Sequence, residues 1–529
     1  MRISGDIYYQ GEWHKGESEG YQALDPASGK SLEPVMSAAS EAQVDTAAQA
    51  AAEAFAEYRN TSLTERARFL RCCADEIMNL GEALTDRVSA ETGYPTARAE
   101  GERARTCGQL RMFADYIESG DHLDARIDTA QPDRQPLPKP DLRYVNQALG
   151  PVAVFGVANF PLAFSVAGGD TASALAAGCP VVVKSHPSHP GTSELVGRAM
   201  ATAAEKSGMP AGVFSLLRGD NAVGARLVQA PQIKAVGFTG SFKGGMALHK
   251  LANERPDPIP VFAEMSSVNP LVLLPEALKD SAETIAKGFV GSMTMGTGQF
   301  CVKPGLVLAL EGAELEAFLN AASEQLQQTD AGVMLNEGIC SSYDKGLTGY
   351  LNQDFVQVLA QGREAQSEQG FHARPTLLRT RAEDFLKHPE IHDELFGPAS
   401  LVVVCKDSNQ LRSVLDTLDG QLSGTIHSTQ EELAHHKALV DLLTEKVGRL
   451  VINGFPTGVE VCPSMMHGGP FPASTDARFT SVGTAAIQRF LRPVCFQNFP
   501  EPLLPDALRD SNPLKLTRVV NGTLSQEAL

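Results

Sequence analysis

The sequence predicts an α/β fold whose first half is built on a parallel, doubly wound sheet. Three observations carry that expectation. From Gly150 onward, short valine-rich apolar runs alternate with helical stretches, the pattern of strand–helix–strand crossovers. A second α/β alternation runs from about Met265 to Val461. Between the helical first quarter and Gly150, residues 121–146 break the pattern with Pro132, Pro136, Pro138 and Pro140 among polar residues, which reads as an extended arm leaving the main body.

Taken in order, residues 1–40 read as short strands and turns, with Asp25-Pro26 and Ser28-Gly29 as turn signals. Residues 39–117 are rich in Ala, Glu and Arg at helical spacing, with few breakers. Strands are expected at 152–156, 180–184, 213–217 and 234–238, with helices at 165–177, 192–206, 222–230 and 244–253. A further strand is expected at 485–492, followed by a polar, proline-containing, extended tail over 500–529. No repeat or low-complexity tract interrupts this order.

The bulk properties exclude several classes. The chain has 529 residues, enough for two or three cores. Its net charge is −18 with no long basic run, which argues against nucleic acid, since phosphate binding needs clustered Lys and Arg. The first residues lack a basic flank and apolar stretch, so no signal peptide is expected, and no apolar run has membrane-spanning length. Nine scattered cysteines without zinc-finger spacing suggest a reducing, cytoplasmic setting and no metal.

Five stretches suit chemistry. Gly237-Phe238-Thr239-Gly240-Ser241-Phe242-Lys243-Gly244-Gly245 follows the fourth expected strand. Glycines at a strand-to-helix turn let phosphate approach backbone N–H groups, although the Gly-x-Gly-x-x-Gly fingerprint is missing. Gly296-Thr297-Gly298-Gln299-Phe300-Cys301 sets a thiol behind a small-residue loop, as an approachable nucleophile requires. Val261-Phe262-Ala263-Glu264 ends an apolar run on a carboxylate, where burial would raise its pKa toward general-base work. Glu394-Leu395-Phe396-Gly397-Pro398 and Val157-Ala158-Asn159-Phe160-Pro161 complete the set. Read singly, each has a plainer alternative: a simple turn, an inert core thiol, a solvated glutamate.

Together they resemble the aldehyde dehydrogenase superfamily over nearly the whole chain. The matching pieces come in the family's order: Asn159-Phe160-Pro161, Val182-Val183-Lys184, Phe238-Thr239-Gly240-Ser241, Glu264, Gly298-Gln299-Phe300-Cys301 and Glu394-x-Phe396-Gly397-Pro398. The resemblance implies an aldehyde dehydrogenase-like fold. Its parts are a Rossmann-type cofactor domain (1–122 and 147–263), an α/β catalytic domain (264–462), and a small β oligomerisation arm with the tail (123–146 and 480–529). It implies Cys301 as nucleophile, Asn159 and the Cys301 N–H as oxyanion donors, and Glu264 as the base that activates water. It further implies that Lys184, Gly240, Ser241, Gly245, Glu394 and Phe396 bind NAD(P)⁺, and that Phe160, Phe164 and Phe455 line the substrate tunnel. The arm and the 485–492 strand resemble oligomerisation elements, implying a homodimer or homotetramer.

Many NAD-preferring members carry a glutamate three positions after the lysine; here Pro187 stands there. That removes repulsion of a 2′-phosphate, and Ser185, His186, Ser188 and Arg218 are candidate donors, so NADP⁺ is favoured with NAD⁺ as the alternative. The finer resemblance is to the branch containing α-ketoglutarate semialdehyde (2,5-dioxovalerate) dehydrogenases. It is carried by Gly454-Phe455-Pro456-Thr457-Gly458-Val459-Glu460-Val461 and His467-Gly468-Gly469-Pro470-Phe471-Pro472. NADP-dependent long-chain aldehyde dehydrogenases share part of this pattern and are the alternative. Val302 and Pro463-Ser464 depart from the common pattern. An inactive relative lacks a physical need for Cys301, Glu264 and Asn159 together; a CoA-acylating enzyme lacks a use for Glu264. A cysteine hydrolase would need a histidine partner, and none is evident near Cys301 in the sequence. The group that would hold a substrate carboxylate is not legible.

Overall fold

The computed structural model describes residues 2–529. The helical first quarter forms four helices, Glu41–Tyr58, Leu63–Met78, Glu82–Thr92 and Thr96–Ser119. Two of them start on reciprocal caps: Ser40 with Gln43, and Ser62 with Glu65. Each cap satisfies amide hydrogens that the first helical turn leaves free.

The first sheet has seven strands, ordered Val261–Glu264, Ala235–Thr239, Val152–Phe155, Val181–Lys184, Phe214–Leu217, Ile7–Tyr9 and Glu12–His14. The first five are mutually parallel; the Ile7–Tyr9 and Glu12–His14 hairpin closes the far edge antiparallel. The inner strands are buried on both faces, so they read as continuous apolar runs instead of alternating ones. The chain runs outward from Val152–Phe155 through Val181–Lys184, then returns to its other side with Ala235–Thr239. That reversal makes a topological switch point, where a crevice opens outside the carboxyl ends of the strands. Register aligns those ends: Phe155 pairs with Lys184, and Thr239 with Glu264.

A second seven-stranded sheet is ordered Gln357–Gln361, Thr376–Arg381, Ala399–Cys405, Leu306–Leu310, Pro270–Leu273, Gln421–His427 and Val447–Ile452. Only its first strand runs antiparallel to its neighbour. The expected α/β architecture is thus present in both halves. Among the described residues no helix is long and apolar enough to cross a membrane.

The arm is a third sheet of five short strands, Leu491–Gln497, Leu142–Ala148, Arg126–Asp128, Arg518–Val520 and Thr523–Ser525. Two expectations need correction here. The strand expected at 485–492 is a tight helical turn, Thr484–Phe490, and the strand follows at Leu491–Gln497. Ala486, Ile487 and Phe490 all bury in the core of the first sheet, which one side of a tight helix permits and an alternating strand does not. The 500–529 tail is also more than extended chain. It buries Leu504, Ala507, Leu508 and Leu516 against Ala125, Ile127 and Val145, and its own hairpin extends the arm sheet. The helix expected from 165 begins at Gly169, because residues 160–168 form turns.

Candidate active site

Glu264 ends its strand at the carboxyl edge of the first sheet and is buried. Its backbone carbonyl accepts from the Gly240 N–H at 3.0 Å. Ser481 Oγ donates to its Oε2 at 2.6 Å; Oε1 accepts no hydrogen bond, although His467 Nε2 lies 2.9 Å away at ion-pair distance.

Cys301 arrives from the second half of the chain. The helix Pro275–Thr294 ends in a turn in which Gly296, Thr297 and Gly298 take left-handed φ values of 55°, 58° and 64°. Left-handed backbone favours glycine and is a true outlier for a β-branched threonine. The turn reverses the chain so that Cys301 Sγ lies 3.4 Å from His467 Nε2. Asn269 Nδ2 steadies the loop by donating to the carbonyls of Cys301 at 2.8 Å and Lys303 at 3.0 Å. Asn159 is buried and donates one amide N–H to the Gln299 carbonyl at 2.8 Å, which leaves its second N–H free of that bond.

His467 is the residue that sequence reasoning missed. The sequence shows no histidine near Cys301, yet the fold places one against its sulfur from 166 positions away. Its only signal was the glycine- and proline-rich stretch that surrounds it. The arrangement is a fork, with one imidazole nitrogen facing both sulfur and carboxylate. In a hydrolase triad the acid holds the other ring nitrogen, so this is not that geometry. The sulfur, nitrogen and carboxylate oxygen lie within 4.8 Å of one another.

The electrostatics of the cluster correct a second expectation. Burial pushes Glu264 up, as anticipated, but His467, Ser481 and Cys301 together outweigh it and hold the carboxyl below its ordinary value. Burial and then the Glu264 charge push the Cys301 thiol well above its ordinary value. The resting cluster is therefore a protonated thiol beside an ionised carboxylate.

The crevice at the switch point gathers several other expected residues. Ser241 caps the helix Phe242–Asn253, its Oγ accepting from the Gly244 N–H at 3.2 Å. A Cβ at Gly245 would lie 2.6 Å from Met265 Sδ, and one at Gly240 would lie 2.7 Å from the Phe238 ring, so a side chain at either position would have to displace that neighbour. Lys184 ends its strand half-buried; burial lowers its amine to about 8, against the pull of Asp220. Burial pushes the Glu394 carboxyl up while Lys303 and a hydrogen bond from Ser266 pull it down. Lys303 also donates to the Leu395 and Ala399 carbonyls, both at 2.7 Å, which fixes the loop bearing Glu394 and half-buried Phe396.

Of the donors considered for a 2′-phosphate, Arg218 is ruled out. It is fully buried and paired to Glu194 at 3.3 Å. Ser185 is buried on the Leu217 carbonyl and Ser188 Oγ accepts from Asn336, while Pro187 is exposed. Phe160 and Phe164 meet edge to face with centroids 5.4 Å apart, and Phe164 lies 6.2 Å from His467. Phe455 lies apart from them, packed on His427 and on the Phe289 cluster. From that loop Val459 packs on the Val302, Leu422 and Ala473 cluster, as Cys301 does.

Comparison with known proteins shows the family of the chain. The pattern of the aldehyde dehydrogenase family matches residues 13–490. The chain is 51% identical over 524 residues to alpha-ketoglutaric semialdehyde dehydrogenase 2 of Azospirillum brasilense, covering 99% of each chain. It is 49% identical over 485 residues to alpha-ketoglutaric semialdehyde dehydrogenase of Acinetobacter baylyi, covering 92% of each. Among solved structures, 3,6-anhydro-L-galactose dehydrogenase in complex with NAP superposes with a TM-score of 0.80 at 22% identity, over 93% of this chain and 99% of that one. The thiol, carboxylate and switch-point crevice thus stand in a chain that belongs to the aldehyde dehydrogenase family, oxidoreductases acting on aldehydes.

Proposed function

We propose that the protein oxidises α-ketoglutarate semialdehyde (2,5-dioxopentanoate) to 2-oxoglutarate, with NADP⁺ favoured over NAD⁺. The observation that carries the chemistry is the meeting of Cys301, Glu264 and His467 at the carboxyl edge of the first sheet. The substrate follows the name shared by the two relatives that match about half of the residues.

The residues at the switch point fit a nicotinamide dinucleotide. The Ser241 helix start and its glycines suit a pyrophosphate, and Lys184 offers a charged amine to the adenosine ribose or its 2′-phosphate. Glu394 suits the nicotinamide ribose, with Phe396 near the ring. When bound, the nicotinamide accepts the hydride that the aldehyde carbon gives up.

The chain's own residues do the rest. The Cys301 thiol gives its proton to the Glu264–His467 pair and its sulfur bonds to the aldehyde carbon. The carbonyl oxygen, now negative, is met by the free Asn159 N–H and the Cys301 backbone N–H, donors fixed before the charge develops. After oxidation the acyl group rests on Cys301 as a thioester. The pair passes the thiol's proton to solvent. Glu264 then takes a proton from water and the hydroxide adds to the acyl carbon. The carbon–sulfur bond breaks to give the carboxylic acid and the thiolate. The acid loses its proton to solvent, and the thiolate takes back the proton held by Glu264. His467 holds Glu264 ionised for that second step.

We further assign residues 1–122 and 147–263 to a cofactor-binding domain, 264–462 to a catalytic domain, and 123–146 with 480–529 to an oligomerisation unit. The Leu491–Gln497 strand ends its sheet with a free edge, which supports a homodimer or homotetramer. The free cysteines suit the cytoplasm.

The test is reduced-nicotinamide absorbance with NADP⁺ or NAD⁺ against α-ketoglutarate semialdehyde, succinic semialdehyde, glutaraldehyde and a long-chain aldehyde. Highest kcat/KM for the keto-acid semialdehyde, abolished by Cys301→Ala, is expected. Preference for the long-chain aldehyde would overturn the substrate.

A further inference from the structure

The helix Thr96–Ser119 runs along the active site and presents residues one or two turns apart on the same face. Arg98 donates to the Asn159 carbonyl at 2.9 Å and lies over the Tyr94 and Phe300 rings, 3.6 and 4.7 Å from their centroids. Glu102 accepts from the Leu162 N–H at 3.0 Å and lies 3.7 Å from Arg98. Two turns beyond Arg98, Arg105 donates from Nη1 to the Val459 carbonyl at 2.6 Å. Val459 packs on the Val302, Leu422 and Ala473 cluster on which Cys301 also packs, and on the Phe164 cluster that Phe160 joins. The Arg105 guanidinium is thereby fixed on the loop that adjoins the nucleophile.

Among the described residues, half-buried Arg105 has no carboxylate partner. Arg66, Arg255 and Arg518 also lack a carboxylate, but each places both terminal nitrogens on backbone carbonyls. Arg449, which holds the same loop from its other side, does so as well, donating to the Gly458 and Pro456 carbonyls. Arg105 has one such bond and, among the described residues, no ion pair; half-buried Arg103, on the Gly81 carbonyl, shares that state but lies off the Val459 loop. Burial lowers its pKa; Glu102, Glu460 and a charge on Cys301 oppose that. A partly desolvated cation with most of its donors unspent is suited to completion by an anion. The need is sharper in a chain of net charge −18, whose field repels anionic substrates from a distance.

We infer that Arg105 is the specificity residue that binds the carboxylate of the substrate, so that the site selects short aldehydes bearing an anionic end. The inference rests on the reading of the substrate as a semialdehyde acid and names the group that reads the acid. The aldehyde carbon meets Cys301, the chain passes Phe160 and Phe164, and the carboxylate meets the free guanidinium nitrogens above Val459. A planar guanidinium matches a carboxylate through two parallel hydrogen bonds, which an ammonium cannot copy.

The experiment compares wild type, Arg105→Met and Arg105→Lys on α-ketoglutarate semialdehyde, succinic semialdehyde and pentanal. The readout is the ratio of kcat/KM for each acid to that for pentanal. Arg105→Met should lower this ratio on the order of 30-fold, the effect of one charge-assisted hydrogen-bonded contact, mainly through KM; Arg105→Lys should recover part of it. Protection of Cys301 from iodoacetamide by 2-oxoglutarate gives a second readout that needs no turnover: present in wild type, it should be lost in Arg105→Met. Equal losses for acids and pentanal, or protection retained in the variant, would overturn the inference while leaving the substrate reading intact. A wild type that shows no preference for acids would instead overturn the substrate reading, and this inference with it.

Discussion

Glu264 and Cys301 share one imidazole nitrogen: His467 Nε2 lies 2.9 Å from the Glu264 carboxylate and 3.4 Å from the Cys301 sulfur. A thiolate formed there adds a second negative charge beside the first. Alkylation of Cys301 by iodoacetamide, with no nicotinamide present, should therefore still be accelerating above pH 9. Glu264→Gln removes the neighbouring charge, so the thiol should titrate at lower pH and the alkylation profile should move to the acid side. A profile that stays in place or moves to higher pH would refute the coupling.

Gly298 stands at φ 64°, and a side chain there would strike the Gly397 carbonyl. Gly298→Ala should cost about 2 kcal/mol or more, combining left-handed strain with a backbone collision. Thermal unfolding would show a lower Tm. Because Gly397 belongs to the Glu394 loop, the same variant should weaken nicotinamide binding. A Tm equal to wild type would show that the turn relaxes freely.

Lys184 is held near 8 by burial. Below that pH the amine is charged and attracts a 2′-phosphate; above it the charge is lost. Titration of the free enzyme should show NADP⁺ affinity weakening as pH rises past about 8, with NAD⁺ affinity changing far less. Lys184→Ala should flatten the NADP⁺ curve. Parallel pH dependence for both nucleotides would exclude Lys184 as a phosphate partner.

Arg489 and Asp170 form an almost fully buried pair at 2.7 Å, joining the Gly169–Ala177 helix to the turn before the Leu491–Gln497 strand. Arg489→Met strands a buried carboxylate and should cost about 3–5 kcal/mol. The double variant with Asp170→Asn should regain much of that in a denaturant titration. Additive losses would mean that the two residues act independently.

The legible parts of this protein were those encoded locally. The Val152–Phe155 and Val181–Lys184 strands are buried on both faces, so their apolar runs announce them. Cys301, Glu264, Asn159 and the Ser241 turn were read from contiguous motifs, though a motif alone does not establish a role. His467 escaped because its partnership with Cys301 exists only after two distant segments meet. The direction of the Glu264 shift failed for the same reason: burial is readable from an apolar flank, whereas Ser481 and His467 come from far along the chain. Arg218 looked like a free donor until the fold enclosed it with Glu194. The Thr484–Phe490 turn is not legible as a turn because its apolar spacing suits either structure over so few residues.

The tail of the chain bears on one last matter. Residues 500–529 cover Ala125, Ile127 and Val145 and supply the strand beside Arg126–Asp128. Without that sheath, an apolar floor and a bare row of backbone donors and acceptors would face solvent together. A shortened chain would keep every atom of the Cys301 cluster, yet it would be lost to precipitation; its defect would be colloidal, with the chemistry untouched.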